Sequence, residues 1–155
     1  MANGFLWTLP SRARALGELR GVRDVLLFAC VAAFAAGVPL LMRLPLPRLA
    51  ALLARPPARR RPSRAAVARL DALVALAPRV AHPVVRRGCL TRGVTLFWFL
   101  RRAGVDVELC FGVDPAPGAD ADGHCWLVRD GRPFLEHADP RVRFAETFRL
   151  PAVRA

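Results

Sequence analysis

One stretch decides the fold: residues 89–113 have the sequence CLTRGVTLFWFLRRAGVDVELCFGV. The middle of its first half, VTLFWFL, is apolar on every side of a helix, and a helix of that kind is buried in a protein core. The pattern predicts a buried helix from about Cys89 to Ala103, with Gly104 as the residue that stops it. From residue 105 to residue 113 apolar residues alternate with others, which predicts a half-buried strand.

The flanking segments complete one domain. Upstream, Ser63 is a good N-cap for an amphipathic helix that we expect to end near Pro78. Downstream, DPAPGADADG has the composition of a loop, and HCWLVRDGRPFLEH predicts a hairpin with Asp130-Gly131 as its two-residue turn. The order helix, helix, strand, loop and hairpin predicts an α+β domain, with the buried helix packed on a small antiparallel sheet.

The first 62 residues differ in composition from the rest of the chain. Residues 25–42, VLLFACVAAFAAGVPLLM, form an uncharged run of 18, the lower limit for a membrane-spanning helix. A linker rich in proline and arginine follows. We therefore divide the chain into a hydrophobic, Arg-rich helical appendage with its linker, 1–62, and a folded domain, 63–155. The run could pack on a partner or lie in a membrane interface, span a bilayer, or form a core helix of the domain.

The charge is strongly positive and comes from arginine alone. The chain has a formal net charge of +12, with 24 basic residues and no lysine. Such a charge attracts anionic lipid headgroups, acidic peptides and other polyanions. No nucleic-acid recognition motif accompanies it, so we do not expect nucleic-acid binding. The N-terminus reaches charged residues before the apolar run, so we predict no cleavable signal peptide, and a cytoplasmic protein whose candidate membrane attachment is residues 25–42.

Cys89 and His124 are the candidate reactive pair. Without secretion, the cysteines at 30, 89, 110 and 125 are expected as free thiols. Cys89 begins the buried helix, where the positive helix end and the arginines at 86, 87 and 92 favour a thiolate, and where free backbone N–H groups could form part of an oxyanion hole. His124 opens a strand after the acidic loop and could serve as the base.

The acid that would orient His124 is not fixed by hairpin geometry. An ideal two-residue turn places His137 opposite His124, whereas a one-residue bulge would bring Glu136 there, and Asp139 stays in reserve. Cys110 and Cys125 are expected to be packed rather than reactive. The cysteines and histidines lack zinc-site spacing, so no metal and no cofactor is predicted.

Together these motifs resemble a known family. Cys-Leu-x-Arg at the nucleophile, a helix closing in Arg-Arg-x-Gly, a strand ending in Gly-Val and a His-x-Trp hairpin with Asp-Gly-Arg-Pro are similar to the leader-peptide-cleaving B proteins of lasso-peptide biosynthesis. Their peptidase domain is transglutaminase-like, or papain-like. The resemblance covers roughly residues 64–140 and implies catalytic Cys89, His124 and Glu136, with Glu where Asp is expected. Two further departures are Cys125 for the usual Ala and Gly93 for the commoner Ser.

The resemblance also implies a function and partners. Such proteins remove the leader from a ribosomally made precursor before macrocyclisation by an asparagine-synthetase-like cyclase. The first 60 residues do not resemble the fused leader-binding domain of some members, so we expect the stand-alone peptidase form, which needs a separate leader-binding protein. Two other functions stay open: a membrane-associated, non-catalytic scaffold, and a transglutaminase-like acyl transferase on another peptide.

Overall fold

The computed structural model describes residue 19 and residues 21–53, 62–85, 88–116 and 122–151. Its α-helices are α1, Val22–Leu41; α2, Leu46–Leu53; α3, Arg64–Val80; and α4, Cys89–Arg102. Its strands are β1, Glu108–Val113; β2, Gly123–Arg129; β3, Arg132–Phe134; and β4, Ala145–Leu150, with a 3₁₀ turn at Pro140–Val142 before the last. The predicted α+β architecture is confirmed: the helix that begins with Cys89 packs on a small antiparallel sheet.

The ends of α3 and α4 follow from local chemistry. Ser63 caps α3 by accepting a hydrogen bond from the Ala66 N–H at 3.2 Å. The helix ends at Val80, close to Pro78 as predicted, so the proline lies in its last turn. Helix α4 ends as predicted, where the Ala103 N–H donates to the Phe99 carbonyl and the chain turns at Gly104, whose φ is 93°.

The sheet has the order β3-β2-β1-β4, and all its pairings are antiparallel. The predicted turn joins β2 to β3: Asp130 and Gly131 have φ values of 51° and 73°, as a type I′ hairpin requires. Arg129 therefore pairs with Arg132 and Val128 with Pro133. The proline is tolerated because β3 is an edge strand.

Two predictions about the sheet need correction. Strand β1 begins at Glu108 rather than at 105, because the preceding residues carry the chain from α4 into the sheet. Nor is the strand half-buried, since its second face is covered too: Cys110 packs with Trp126 and Val128 beneath Phe144. Strand β4, which covers the far edge of β1, was not predicted at all.

Helix α1 shares the main core with α3 and α4. Phe28, Val31, Ala35 and Val38 are buried there, and the Phe34 ring stacks on Trp98 with centroids 4.8 Å apart. The boundary between residues 62 and 63 stays a prediction, but the hydrophobic core continues across it. The predicted linker, residues 44–64, needs correction in its first part, which forms α2 with Leu49 and Leu53 buried; residues 54–61 lie outside the described residues.

Candidate active site

Cys89 is the first residue of α4, at the positive end of that helix. Its thiol is partly exposed, and its Sγ lies 3.8 Å from the carbonyl oxygen of Gly123 at the start of β2. The first backbone N–H groups of a helix have no partner within the helix, so they are available to a developing oxyanion beside the thiol. The arginines at 86 and 87, which the sequence analysis placed near this thiol, lie outside the described residues.

His124 directly follows Gly123, the residue whose carbonyl oxygen lies 3.8 Å from the Cys89 sulfur. Its ring is stacked with Phe144 and Trp126, at centroid distances of 5.1 and 6.0 Å. These contacts restrain the plane of the imidazole ring, while 27% of the His124 side-chain surface stays exposed. Its Nε2 lies 3.8 Å from the nearer carboxylate oxygen of Glu136, which leaves Nδ1 as the nitrogen that could exchange a proton with a thiol.

Glu136 reaches His124 because the hairpin pairing stops early. Strand β3 ends at Phe134, and Leu135 adopts a left-handed conformation with φ 60°. This residue bends the chain as a bulge does, so that the carboxylate beside His124 is that of Glu136. His137, which ideal pairing would place opposite His124, is exposed.

Asp139, the reserve candidate, is engaged elsewhere. Its carboxylate caps the 3₁₀ turn by accepting from the Arg141 N–H, and it pairs with the Arg141 guanidinium at 2.6 Å. The hydrogen bonds from Arg141 hold the pKa of Asp139 below its usual value. Of the two acids, Glu136 is therefore the one near the histidine; what either does in catalysis stays a prediction.

Arg92 is a functional candidate whose partners the sequence did not reveal. One guanidinium nitrogen, Nη1, donates to Glu136 at 3.1 Å, and the other, Nη2, to the Leu135 carbonyl at 2.7 Å and to Asp71 at 3.0 Å. The arginine thus fixes both the left-handed residue and the acid after it to α3 and α4. The available signal was its spacing: residues three apart on a helix share a face, which puts Arg92 on the side of Cys89.

The two departures from the resembled pattern touch each other. A Cβ atom added to Gly93 would lie 2.7 Å from the Cys125 sulfur and 3.3 Å from Leu109 Cδ1. A serine at 93 therefore has no room while Cys125 is present. Burial raises the pKa of Cys125 well above that of an ordinary thiol. Burial likewise raises the pKa of Cys110 to about 12, so both thiols are packed, as expected.

The sequence profile of the transglutaminase-like superfamily matches residues 30–149. The chain belongs to the transglutaminase-like superfamily. This superfamily is of the cysteine peptidase and acyltransferase type. Comparison with curated proteins and with solved structures gave no match. The matched region begins inside α1, in agreement with the part this helix takes in the core of the superfamily domain. Within the described ranges, no group of three His, Cys, Asp or Glu side chains is arranged to hold a metal ion.

Proposed function

We propose that this protein is a cysteine endopeptidase that removes the leader from a ribosomally synthesised lasso-peptide precursor before macrocyclisation. Cys89 is the nucleophile, His124 the general base and acid, and Glu136 the group that orients the imidazole. The observation that carries the proposal is the position of the Cys89 sulfur: it belongs to the first residue of α4 and lies 3.8 Å from the carbonyl oxygen of Gly123, the first residue of β2. The residue after Gly123 is His124, whose Nε2 lies 3.8 Å from a carboxylate oxygen of Glu136.

The chemistry proceeds through a thioester. The Cys89 thiolate attacks the carbonyl carbon at the leader–core junction, and the negative charge that forms on the carbonyl oxygen is stabilised by N–H groups at the start of α4. Protonated His124 then gives its proton to the core nitrogen as the C–N bond breaks. Neutral His124 next takes a proton from water, whose oxygen attacks the thioester. The leader leaves with a free carboxylate, and the thiol of Cys89 is regenerated.

The neighbours of the histidine support this assignment. Stacking against Phe144 and Trp126 restricts rotation of the ring, and Glu136 stabilises the imidazolium that forms during each turnover. Arg92 in turn restrains Glu136 through their 3.1 Å contact. Both carboxylate oxygens are thereby occupied, one toward the arginine and one toward the histidine.

The substrate and partners of the proposal rest on the resemblance in residues 64–140. The leader of the precursor is the bound segment, a separate leader-binding protein presents it, and an asparagine-synthetase-like cyclase uses the freed core amine. The reaction takes place in the cytoplasm. The site needs no cofactor, since thiol, imidazole and water supply every atom of the hydrolysis.

The test uses purified enzyme, a precursor peptide encoded near it and the neighbouring leader-binding protein, with products identified by mass spectrometry. We expect leader with a free carboxylate from the wild type, and at least about a thousandfold slower cleavage by Cys89→Ala or His124→Ala. Glu136→Ala should slow cleavage by a smaller factor, about tenfold to a hundredfold, because it removes only the group that orients His124.

Cleavage by Cys89→Ala at the wild-type rate would refute the proposal. A leader that leaves as an amide of an added amine would identify the acyl transferase instead. Absence of any turnover together with an inert Cys89 thiol would identify the non-catalytic scaffold.

A further inference from the structure

Helix α1 has one buried face and one exposed face, and both are apolar. Phe28, Val31, Ala35 and Val38 fill the core. The opposite side bears a stripe of exposed residues that are three, four or seven positions apart, and we call it the outer stripe: Val22, Leu26, Ala29, Ala33 and Leu40. Val22, Leu26 and Leu40 keep 75%, 61% and 67% of their surface exposed. A helix on the surface of a globular protein normally turns a polar face to water.

The segment around the outer stripe is the most basic part of the chain. The first 62 residues contain ten arginines and two acidic residues, so they carry eight of the twelve net positive charges. Arg23, Arg43 and Arg48 are exposed near the ends of α1 and on α2. The one acidic residue within α1, Asp24, pairs with Arg69 of α3. The combination of an apolar stripe and flanking cations is suited to anionic lipid headgroups.

By length and composition alone, α1 could cross a membrane, although a core helix or a signal sequence meets the same criteria. Its packing argues against a span. The inner face is buried against α3 and α4, and Phe34 is stacked on Trp98 of α4. Spanning would either strip this face from the core or draw the arginines of α3 and α4 into hydrocarbon, where charged side chains are costly.

We propose that α1 and α2 bind the protein to the surface of an anionic membrane, with α1 parallel to the bilayer and its outer stripe in the interfacial layer. The inner face of the helix remains in the protein core. This placement holds the domain on the membrane without a transmembrane segment. It is independent of the peptidase reaction, so each proposal can fail without the other.

Cys30 offers a direct probe, since it is exposed at the edge of the outer stripe. In a Cys89→Ser variant of the full chain, an environment-sensitive fluorophore should label Cys30, because the other two thiols, Cys110 and Cys125, are buried. The probe is titrated with vesicles of phosphatidylcholine alone, and with vesicles in which about a third of the lipid is phosphatidylglycerol. We expect a blue shift only with the anionic vesicles, and its reversal in high salt.

Charge substitutions give the matched comparison. Leu26→Glu and Leu40→Glu should each weaken binding to the anionic vesicles at least about tenfold in flotation assays, since each puts a carboxylate into the interfacial layer. Val142→Glu is the control: it adds the same charge at a 90% exposed position in the 3₁₀ turn, outside α1 and α2, and should bind as the wild type does.

Three results would overturn the proposal. The first is equal binding to neutral and anionic vesicles, and the second is unchanged binding by both Leu26→Glu and Leu40→Glu. The third is a stable dimer in solution that Leu26→Glu dissociates, which would mean that a second copy of the chain covers the outer stripe. A fourth contrary result would be a red shift on binding in a variant that keeps Trp98 as its single tryptophan, because it would mean that Phe34 of α1 has left the Trp98 ring.

Discussion

Helices α1 and α4 are both apolar for most of their length, yet they occupy different surroundings. Helix α4 is enclosed by α1, by α3 and by the sheet, and Val94, Leu96 and Phe97 have no exposed surface. Helix α1 is covered on one side only, and its outer stripe faces solvent. Apolar composition alone therefore does not determine burial. The number of elements packed around a helix decides whether it forms the centre of a core or the outside of one.

This difference is consistent with the separate functions that we propose for the two helices. The enclosed helix packs on the sheet, and the sulfur of its first residue, Cys89, lies 3.8 Å from the Gly123 carbonyl oxygen at the start of β2. The half-covered helix contributes one face to the core and keeps the other for the membrane contact we propose. A reactive thiol needs a fixed position, whereas a membrane contact needs accessible area.

The sharpest contrast is expected between Phe97→Ala and Leu26→Ala. Phe97 is fully buried in α4, so its truncation should lower the free energy of unfolding by about 3–5 kcal/mol. Leu26 is 61% exposed on α1, and its truncation should change that free energy by less than about 0.5 kcal/mol. Urea unfolding followed by circular dichroism measures both. Similar losses in the two variants would mean that the outer stripe is covered within the protein itself.

A second contrast uses glycine in both helices. Gly93→Ser in α4 should cost about 1–3 kcal/mol, because the new Cβ collides with the Cys125 sulfur. Gly37→Ser in α1 meets no atom within 4 Å and should be neutral or slightly stabilising, since serine favours the helix more than glycine does.

Adding Cys125→Ala to Gly93→Ser should recover most of the loss, because it removes the closest contact. Thermal unfolding of the two single variants and the double variant gives the coupling between the two sites. Simple additivity would show that the two departures from the resembled pattern do not compensate each other.

The smallest expected difference is in kcat, between variants of Arg92 and of Arg23. Arg92→Ala should lower kcat for leader cleavage about tenfold with little change in KM, since it releases Glu136 without touching the peptide. Arg92→Lys should restore part of the rate, because lysine keeps the charge but cannot make all three contacts. Arg23→Ala, which removes an exposed charge from α1, is the control. An unchanged kcat in Arg92→Ala would show that Arg92 does not position Glu136 for catalysis.

Much of this fold could be predicted because its signals are local. The charge-free middle of α4, the Ser63 cap and the Asp130-Gly131 turn each depend on residues that are close in sequence, and each is present in the structure. Their order predicted the α+β architecture, and the transglutaminase-like fold was implied by the resemblance in residues 64–140. The positions of Cys89 and His124 at the starts of a helix and a strand were predictable for the same reason.

Other features depend on contacts between distant residues. Strand β4, AETFRL, lacks the alternation of apolar and polar residues that predicts a strand, because only its last three residues are buried or partly buried. The position of Glu136 depends on the left-handed Leu135 and on an arginine 44 residues earlier. The packing of α1 depends on facing residues of α3 and α4 beyond the linker, which composition does not reveal.

The central claim, that Cys89 is an activated thiol served by His124, can be tested without the substrate. The measurement is the rate of iodoacetamide alkylation of Cys89 relative to exposed Cys30 in the same molecule, at pH 6.5 and resolved by peptide mass spectrometry. The account predicts that Cys89 reacts at least about tenfold faster in the wild type, and at a rate close to that of Cys30 in His124→Ala. Equal rates for Cys89 and Cys30 in the wild type, or no effect of His124→Ala, would contradict it.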